Sequence, residues 1–478
     1  MNKTKMNRRD FLRLGMLTSA GAILASCAPK TETPAAEVPK VEAPTATAQT
    51  AAQPVKIQIM WRTNPDENKM LDELIKVFQG KHPDITVESI YVPWDEYEPK
   101  LMTMYTSGIA PDVYGTGGTN PYIERWVRGM VLELDEFVNA ESSNFTQDIF
   151  PVGLNAYRKK GKLAALAFCI CPSGVWVNAT RFDEASVPYP PIDWTDPKGW
   201  SWEEVIATAK KLTNADEKKY GFNPSHAGPW YYTRMWGKDL VSKEDYESGI
   251  LHKIMASSDT AVYDALVAGL QARADTMWKD KVAPSPDTAN SLGQIGPMLK
   301  TGAIAMEFTG GWAVWGDLPK EMKFRAAINP KGGVGGSGTT CKNIWADPLE
   351  ICSKTKAPDQ SWKLVRFIAM EPDAIAVEGK YRNVLPVSKS VLESFITAQK
   401  DRLAMPIEDQ IKFYKGAIEQ AETTVPDHIL VGWAKVRDVF NSATESLWLN
   451  EKTAKEVVDD MLPKAQAAID ANLKELNL

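Results

Sequence analysis

Three apolar strand patterns separated by two amphipathic helix patterns open the body of this chain, and that order restricts its fold more than any other feature. Val55, Ile57, Ile59 and Trp61 alternate with polar residues at the period of a strand, and Arg62 to Pro65 make a turn. Leu71, Leu74, Ile75 and Phe78 follow at helical spacing until Gly80 and Pro83 stop the run. Ile85 and Val87 begin a second strand, and Tyr97, Leu101, Met104 and Tyr105 mark a second helix closed by Gly108. Pro111-Asp112-Val113-Tyr114 reads as a short third strand ahead of Gly115, Gly117 and Gly118. A β-α-β-α-β order builds an open, mainly parallel sheet, whose ligands bind beyond the carboxyl ends of the strands. The turns from Arg62 to Asp66 and from Gly115 to Asn120 are therefore candidate site loops. Further along, Leu163 to Val177 is strand-like, and Ser201 with Glu204 has the spacing of a capping box before a helix to Leu212. Val262, Leu266 and Leu270 mark another helix, and Thr453 with Glu456 caps a last one carrying Val457, Met461 and Ile469.

Ahead of this body lies a segment of different character. Asn7-Arg8-Arg9-Asp10-Phe11-Leu12 is a basic start with paired arginines, followed by an apolar stretch from Leu14 to Ala25 that is too short to span a bilayer. It ends in Leu24-Ala25-Ser26-Cys27. The pattern resembles a twin-arginine signal (residues 1–26) joined to a lipoprotein cleavage box, and that resemblance implies a lipid on Cys27 and a membrane anchor. Residues 27–54, with Pro29, Pro34, Pro39, Pro44 and Pro54 and no aromatic residue, read as a solvated tether. The formal charge of −6 includes this basic start; beyond residue 26 there are 50 basic against 60 acidic side chains, a net −10. Such a surface repels phosphate backbones and argues against nucleic acid as a partner.

Catalytic motifs are missing or out of context. Gly333 to Gly338 satisfies G-x-G-x-x-G but opens no helix, so it lacks the helix N-terminus that binds a pyrophosphate, and it reads as a loop. Ser353 to Lys356 matches S-x-x-K and Lys300-Thr301-Gly302 matches K-T-G, but in the wrong order and without S-D-N. His82, His226, His252 and His428 are scattered, and no cofactor or metal is implied. Cys169 and Cys171 point the same way along a strand; Cys341 and Cys352 either face each other across a hairpin as a disulfide or are small buried hydrophobes.

The sixteen tryptophans say more. Trp202, Trp278 and Trp362 occupy helical patterns and read as core. Trp230-Tyr231-Tyr232 after Gly228-Pro229, and Trp312 after Gly310-Gly311, sit instead where glycine and proline hold a loop open. At a cleft, such rings can stack on the apolar face of a sugar while polar neighbours bond its hydroxyls.

Several motifs in order make the body from Val55 to Leu478 resemble the family 1 extracellular solute-binding proteins of ABC importers, the group that includes maltose- and oligosaccharide-binding proteins. These are Ala110-Pro111-Asp112-Val113, Gly161-Lys162-Leu163 running to Asn178, Trp202-Glu203-Glu204, Gly302-Ala303-Ile304-Ala305-Met306 through Gly310-Gly311-Trp312, and Arg382-Asn383-Val384-Leu385-Pro386-Val387. The resemblance implies a two-lobed α/β fold of the periplasmic-binding-protein type, each lobe a mainly parallel sheet flanked by helices, with a hinge between them. The lobes would be roughly 55–169 plus 330–376 and 170–329 plus 377–478. It also implies a monomer with no chemistry of its own, capturing a carbohydrate and delivering it to permease subunits. Trp312, Trp230 and Trp433 are the stacking positions on these grounds; Arg62, Thr63, Asp66 and Thr116 are placed by the strand ends as well. Tyr231, Trp345 and Arg382 complete the candidate set. Where maltose-binding members carry an acidic residue after the first crossing, this chain has Pro172-Ser173-Gly174, which leaves the identity of the sugar open. The alternatives are a secreted carbohydrate-active enzyme, a receptor for a polyol or glycerol phosphodiester, and a tethered scaffold.

Overall fold

The computed structural model describes residues 54–115, 122–224, 228–293, 296–314, 316–382 and 384–478. The signal segment, all of the tether but Pro54, Cys27, Thr116, His226 and Asn383 lie outside the described residues.

The opening pattern folds as its periodicity dictates. Strand β1 (Val55–Arg62) leads into helix α1 (Pro65–Lys81), then β2 (Ile85–Val92), α2 (Tyr97–Thr106) and β3 (Val113–Tyr114). Both β2 and β3 pair with β1 in parallel. Helix α1 starts where it does because the Asn64 side chain accepts the backbone N–H groups of Asp66 and Glu67, and Pro65 at the first position has no N–H to strand. Its buried face carries Met70, Leu71, Leu74, Ile75 and Phe78, each worth about 1.5–3 kcal/mol of apolar burial before entropy. Helix α3 (Tyr122–Val127) follows.

Strand β4 (Leu166–Asn178) is thirteen residues long and buried at every position. The remaining elements that matter here are α4 (Trp202–Leu212), β5 (Tyr220–Asn223), α5 (Pro229–Met235), α6 (Thr260–Trp278), β6 (Ile304–Gly310), β7 (Phe324–Ala327) and β8 (Asn343–Ile351). They are followed by α7 (Pro372–Tyr381), β9 (Leu385–Pro386), β10 (Thr423–Thr424), α8 (Pro426–Ile429), α9 (Trp433–Trp448) and α10 (Ala454–Leu476). The main path of the sheet runs β2-β1-β3-β8-β4-β6-β5, with β7 and β9 paired to β4 and β10 to β8. Along this path β4 and β8 run against both neighbours, so the sheet is mixed, with parallel pairs at each end and β10 parallel to β8 off the path.

One strand thus serves both halves of the sheet. From Leu166 to Pro172 it pairs with β8, and from Ser173 to Asn178 with β6 and β7. Pro172, paired with Ile344, is the last residue before the partners change, so a residue without an N–H sits at the end of the β8 ladder and not within it. The second proline in a strand, Pro348 of β8, sits at a register shift after Asp347.

Three readings of the sequence need correction. Trp230 lies in the first turn of α5, not in a loop: Gly228 is the N-cap and Pro229 the first helical residue. Trp278, read as core, is 37% exposed at the end of α6, whereas Trp202 and Trp362 are buried as expected. Cys341 and Cys352 do not face each other across a hairpin; they flank β8, whose nine residues separate them by about 30 Å at ~3.3 Å per residue. All four described cysteines are free and buried.

Two carboxyls are enclosed away from the cavity. Glu350 of β8 lies with Glu98 against the buried Arg125, accepting from Nη1 at 2.5 Å. Glu307 of β6 accepts from Asn223 Nδ2 at 2.9 Å and Gly296 N at 3.0 Å, with no cation among its partners. Burial pushes the Glu307 carboxyl up to about 7, from an ordinary value of 4.5, and the two hydrogen bonds only partly oppose it. The folded chain therefore keeps this proton up to about pH 7 while the unfolded chain releases it near 4.5. The folded state binds more protons across that window, so stability falls as pH rises through it and then levels off. Glu307→Gln should remove this part of the slope between pH 4.5 and 7 in urea unfolding, leaving the slope above pH 7 unchanged.

Candidate functional site

The cavity that collects most of the candidate residues has a volume of about 810 Å³ and lies at the carboxyl ends of β1 and β6. From β1 and the first turn of α1 come Arg62, Thr63, Asn64, Asp66 and Glu67. Trp312 comes from the short 3₁₀ turn Gly311–Val314 that ends β6. Its ring folds back over the strand end so closely that a Cβ at Gly310 would meet Cζ3 at 2.2 Å, which accounts for the glycine.

The rings form a connected wall. Trp312 meets Trp345 of β8 edge to face, with centroids 4.6 Å apart. Trp345 is 6.0 Å from Tyr231, and Tyr231 is 4.8 Å from Trp230 at 81°. Trp230 is locked from behind, since its Nε1 donates to Tyr246 Oη at 2.9 Å and Asp239 Oδ1 at 3.2 Å. Trp433 opens α9 after Gly432, whose φ of +89° turns the chain out of α8. At the opposite rim, the exposed Trp94 lies 5.5 Å under the Arg62 guanidinium.

The part of the lining supplied by β1, α1 and the end of α7 carries a cluster of buried charges. Arg62 donates to both oxygens of Glu67, Nε to Oε2 and Nη2 to Oε1, each at 2.6 Å. Arg382 Nη1 reaches Glu67 Oε1 at 3.2 Å, and Arg382 Nη2 reaches Glu378 Oε2 at 3.0 Å. Burial works against each of these charges, and their mutual attraction decides the outcome. Arg62 is held above its usual range by Glu67 despite burial. Glu67 is held below the carboxylate range by Arg62 and Arg382, again despite burial. For Glu378 burial wins over Arg382 and the carboxyl rises to about 7.

Nine of the ten candidate ligand residues meet at this cavity: Trp312, Trp230, Tyr231, Trp433, Arg62, Thr63, Asp66, Trp345 and Arg382. The tenth, Thr116, lies outside the described residues. Arg382, Trp230 and Trp433, with 0%, 2% and 3% exposure, form wall and offer no face for stacking, whereas Trp312, Trp345 and Tyr231 are half-buried. Sequence reasoning missed Trp94, Tyr122, Asp347, Asp427, His428 and Arg437, which also line it. The alternation of β8 was a usable signal for Asp347, which shares a strand face with Trp345. His428, whose ring meets that of Tyr122 at 5.1 Å and whose pKa burial lowers, gives no such signal, because α3 and α8 meet only in three dimensions.

An aromatic-walled cavity at strand ends, flanked by a strand shared between two sheet halves, is the architecture of a receptor that encloses a small solute. The chain belongs to the bacterial extracellular solute-binding protein family, whose sequence pattern it matches over residues 64–373. A Brucella abortus protein, named a binding protein without a stated ligand, is 23% identical over 413 residues, covering 83% of this chain and 89% of its own. Among solved structures, an ABC substrate-binding protein of Listeria monocytogenes in complex with cycloalternan superposes with a TM-score of 0.71 at 20% identity, covering 87% of this chain and all of that one. A solute-binding protein of Thermotoga lettingae bound to α-D-tagatose gives 0.66 at 17% identity, covering 87% and 100%. These likenesses carry the two-lobed fold.

Removing Arg382 leaves Glu67 and Glu378 enclosed without their shared cation. Arg382→Met is expected to cost about 3–5 kcal/mol in urea unfolding. Arg382→Lys should recover only part of it, since an ammonium cannot make both contacts in the guanidinium's fork geometry.

Proposed function

We propose that this chain is the lipid-anchored, extracytoplasmic solute-binding component of an ABC importer, that it captures a mono- or oligosaccharide between two lobes, and that it passes the sugar to permease subunits. The observation that carries this reading is the run of rings Trp312, Trp345 and Tyr231, backed by the buried Trp230, in an 810 Å³ cavity that the polar turn from Arg62 to Asp66 also lines. Flat apolar rings opposite hydrogen-bonding groups match a pyranose, which has an apolar face and a polar edge. The sugars bound by the Listeria and Thermotoga neighbours support the same class. Two lobes at 55–169 plus 330–376 and 170–329 plus 377–478 would bend about β4 where it changes partners, and the solute would hold them together by touching both. Anchoring rests on Cys27 and the segment before it. The acids Glu67 and Asp427 are each tied to an arginine, which suits holding a ligand better than moving protons and favours a receptor over an enzyme.

A thermal-shift screen of residues 55–478 against a panel of neutral sugars tests this directly. A ligand that binds only the folded state raises stability by about 2.7 kcal/mol at one hundred times its Kd, so the midpoint should climb with concentration. Trp312→Ala should abolish most of that climb. Turnover of any glycan by the purified body would overturn the reading in favour of an enzyme.

A further inference from the structure

We propose that Asp347 is the residue that anchors and selects the solute in this cavity, accepting hydroxyl hydrogen bonds from an uncharged sugar and turning away anionic sugars and phosphodiesters. The assignment rests on the binding role argued above and narrows it.

Position comes first. Trp345 and Asp347 project from the same face of β8 into the cavity, so a ring stacked near Trp345 and Trp312 has its edge close to the carboxylate. The register shift between Asp347 and Pro348 fixes where that face ends, because Pro348 cannot donate to the ladder and the strand must bulge there.

Partnership comes second. Glu67 takes three guanidinium hydrogen bonds, Glu378 takes one from Arg382, and Asp427 is paired with Arg437. Asp66 is exposed and keeps its water. Asp347 differs from all of these: its side chain is only 19% exposed, yet no N–H or O–H donor of the described residues bonds to it. Its partners are weak ones: Arg62 Nη2 makes a long ion pair with Oδ2 at 3.9 Å, beyond hydrogen-bond distance, and the Cys169 thiol donates a weak S–H bond to the same oxygen at 3.9 Å. A carboxylate accepts up to about four hydrogen bonds, so closing the cavity over this one without supplying more of them is costly. Hydroxyl groups of a ligand supply short, charge-assisted bonds of the missing kind.

Charge comes third. The arginines of the lining, Arg62, Arg382 and Arg437, already carry carboxylate partners, and Lys300 feels Asp66 and Asp317. An entering anion would have to displace one of those carboxylates while facing Asp347. A neutral polyol meets no such opposition.

The experiment compares wild type, Asp347→Asn and Asp347→Ala in residues 55–478, each melted without ligand and titrated calorimetrically. The probes are maltotriose and D-tagatose as neutral sugars, D-glucuronate and glucose 6-phosphate as anionic ones, and glycerophosphoglycerol as the phosphodiester. Expected are binding of a neutral probe weakened about ten- to a hundredfold by either substitution, no binding of the anionic probes, and ligand-free melting midpoints within about 2 °C of wild type. A fall of several degrees in the ligand-free midpoint would identify Asp347 as a structural partner of Arg62 and overturn the assignment. So would a neutral probe bound equally by all three proteins, or an anionic probe bound by wild type, while either result leaves the receptor reading standing. A panel with no binder at all overturns the carbohydrate reading and this assignment with it.

Discussion

The pair of arginines around Glu67 is the constraint on which the site depends. A carboxylate with 1% exposure is tolerable only because Arg62 closes on both of its oxygens and Arg382 on one. Satisfying it ties the last residue of β1, the first turn of α1 and the segment leaving α7 to one point. Arg382 then holds Glu378 one turn back along α7. Each of these segments presents lining residues to the cavity: Thr63 and Asp66 beside Arg62 and Glu67, and Tyr381 beside Arg382. Apolar packing of equal volume would not fix direction, whereas a bidentate fork permits one orientation of each partner.

The aromatic wall is secured differently. Its rings are held by one another and by backs that face the protein: Trp230 through Tyr246 and Asp239, and Trp312 through the space left by Gly310. Rings with fixed planes lose little freedom when a ligand arrives, so less of the contact energy is spent on ordering them. Trp94 differs, since it is 41% exposed and, among the described residues, the Arg62 guanidinium lies over its ring.

Local signals carried the fold a long way. Period-two and period-3.6 patterns located β1, α1, β2 and α2, and the capping boxes at Ser201 and Thr453 marked the starts of α4 and α10. The antiparallel course of β4 and β8 was not legible, because direction in a sheet depends on which distant strand pairs with which. The partner change at Pro172 is likewise silent until β6 and β8 are both in place. The glycine flank of Trp312 marks a residue that does line the aromatic cavity. For Trp230 the same flanks marked a helix start, since Gly228 and Pro229 serve an N-cap and a first turn as readily as a loop. Trp278 shows the reverse error: helical spacing says which residues share a face, not whether a partner covers the last turn. Asp347 went unnoticed because an acid beside a proline in a strand looks like an interruption until the bulge aims it.

The four enclosed thiols have a consequence for a protein of an extracellular family. Burial pushes Cys171 and Cys341 up to about 12, and it raises Cys169 well above its usual range. Thiol exchange and oxidation proceed through the thiolate, a form that burial disfavours at these three thiols, and Cys352 is buried as well. Cys341 and Cys352 are also kept at opposite ends of a strand, so neither can reach the other. Packing therefore does what a reducing compartment does elsewhere: while the chain stays folded it carries free sulfur through an oxidising environment unchanged, and that immunity ends when it unfolds.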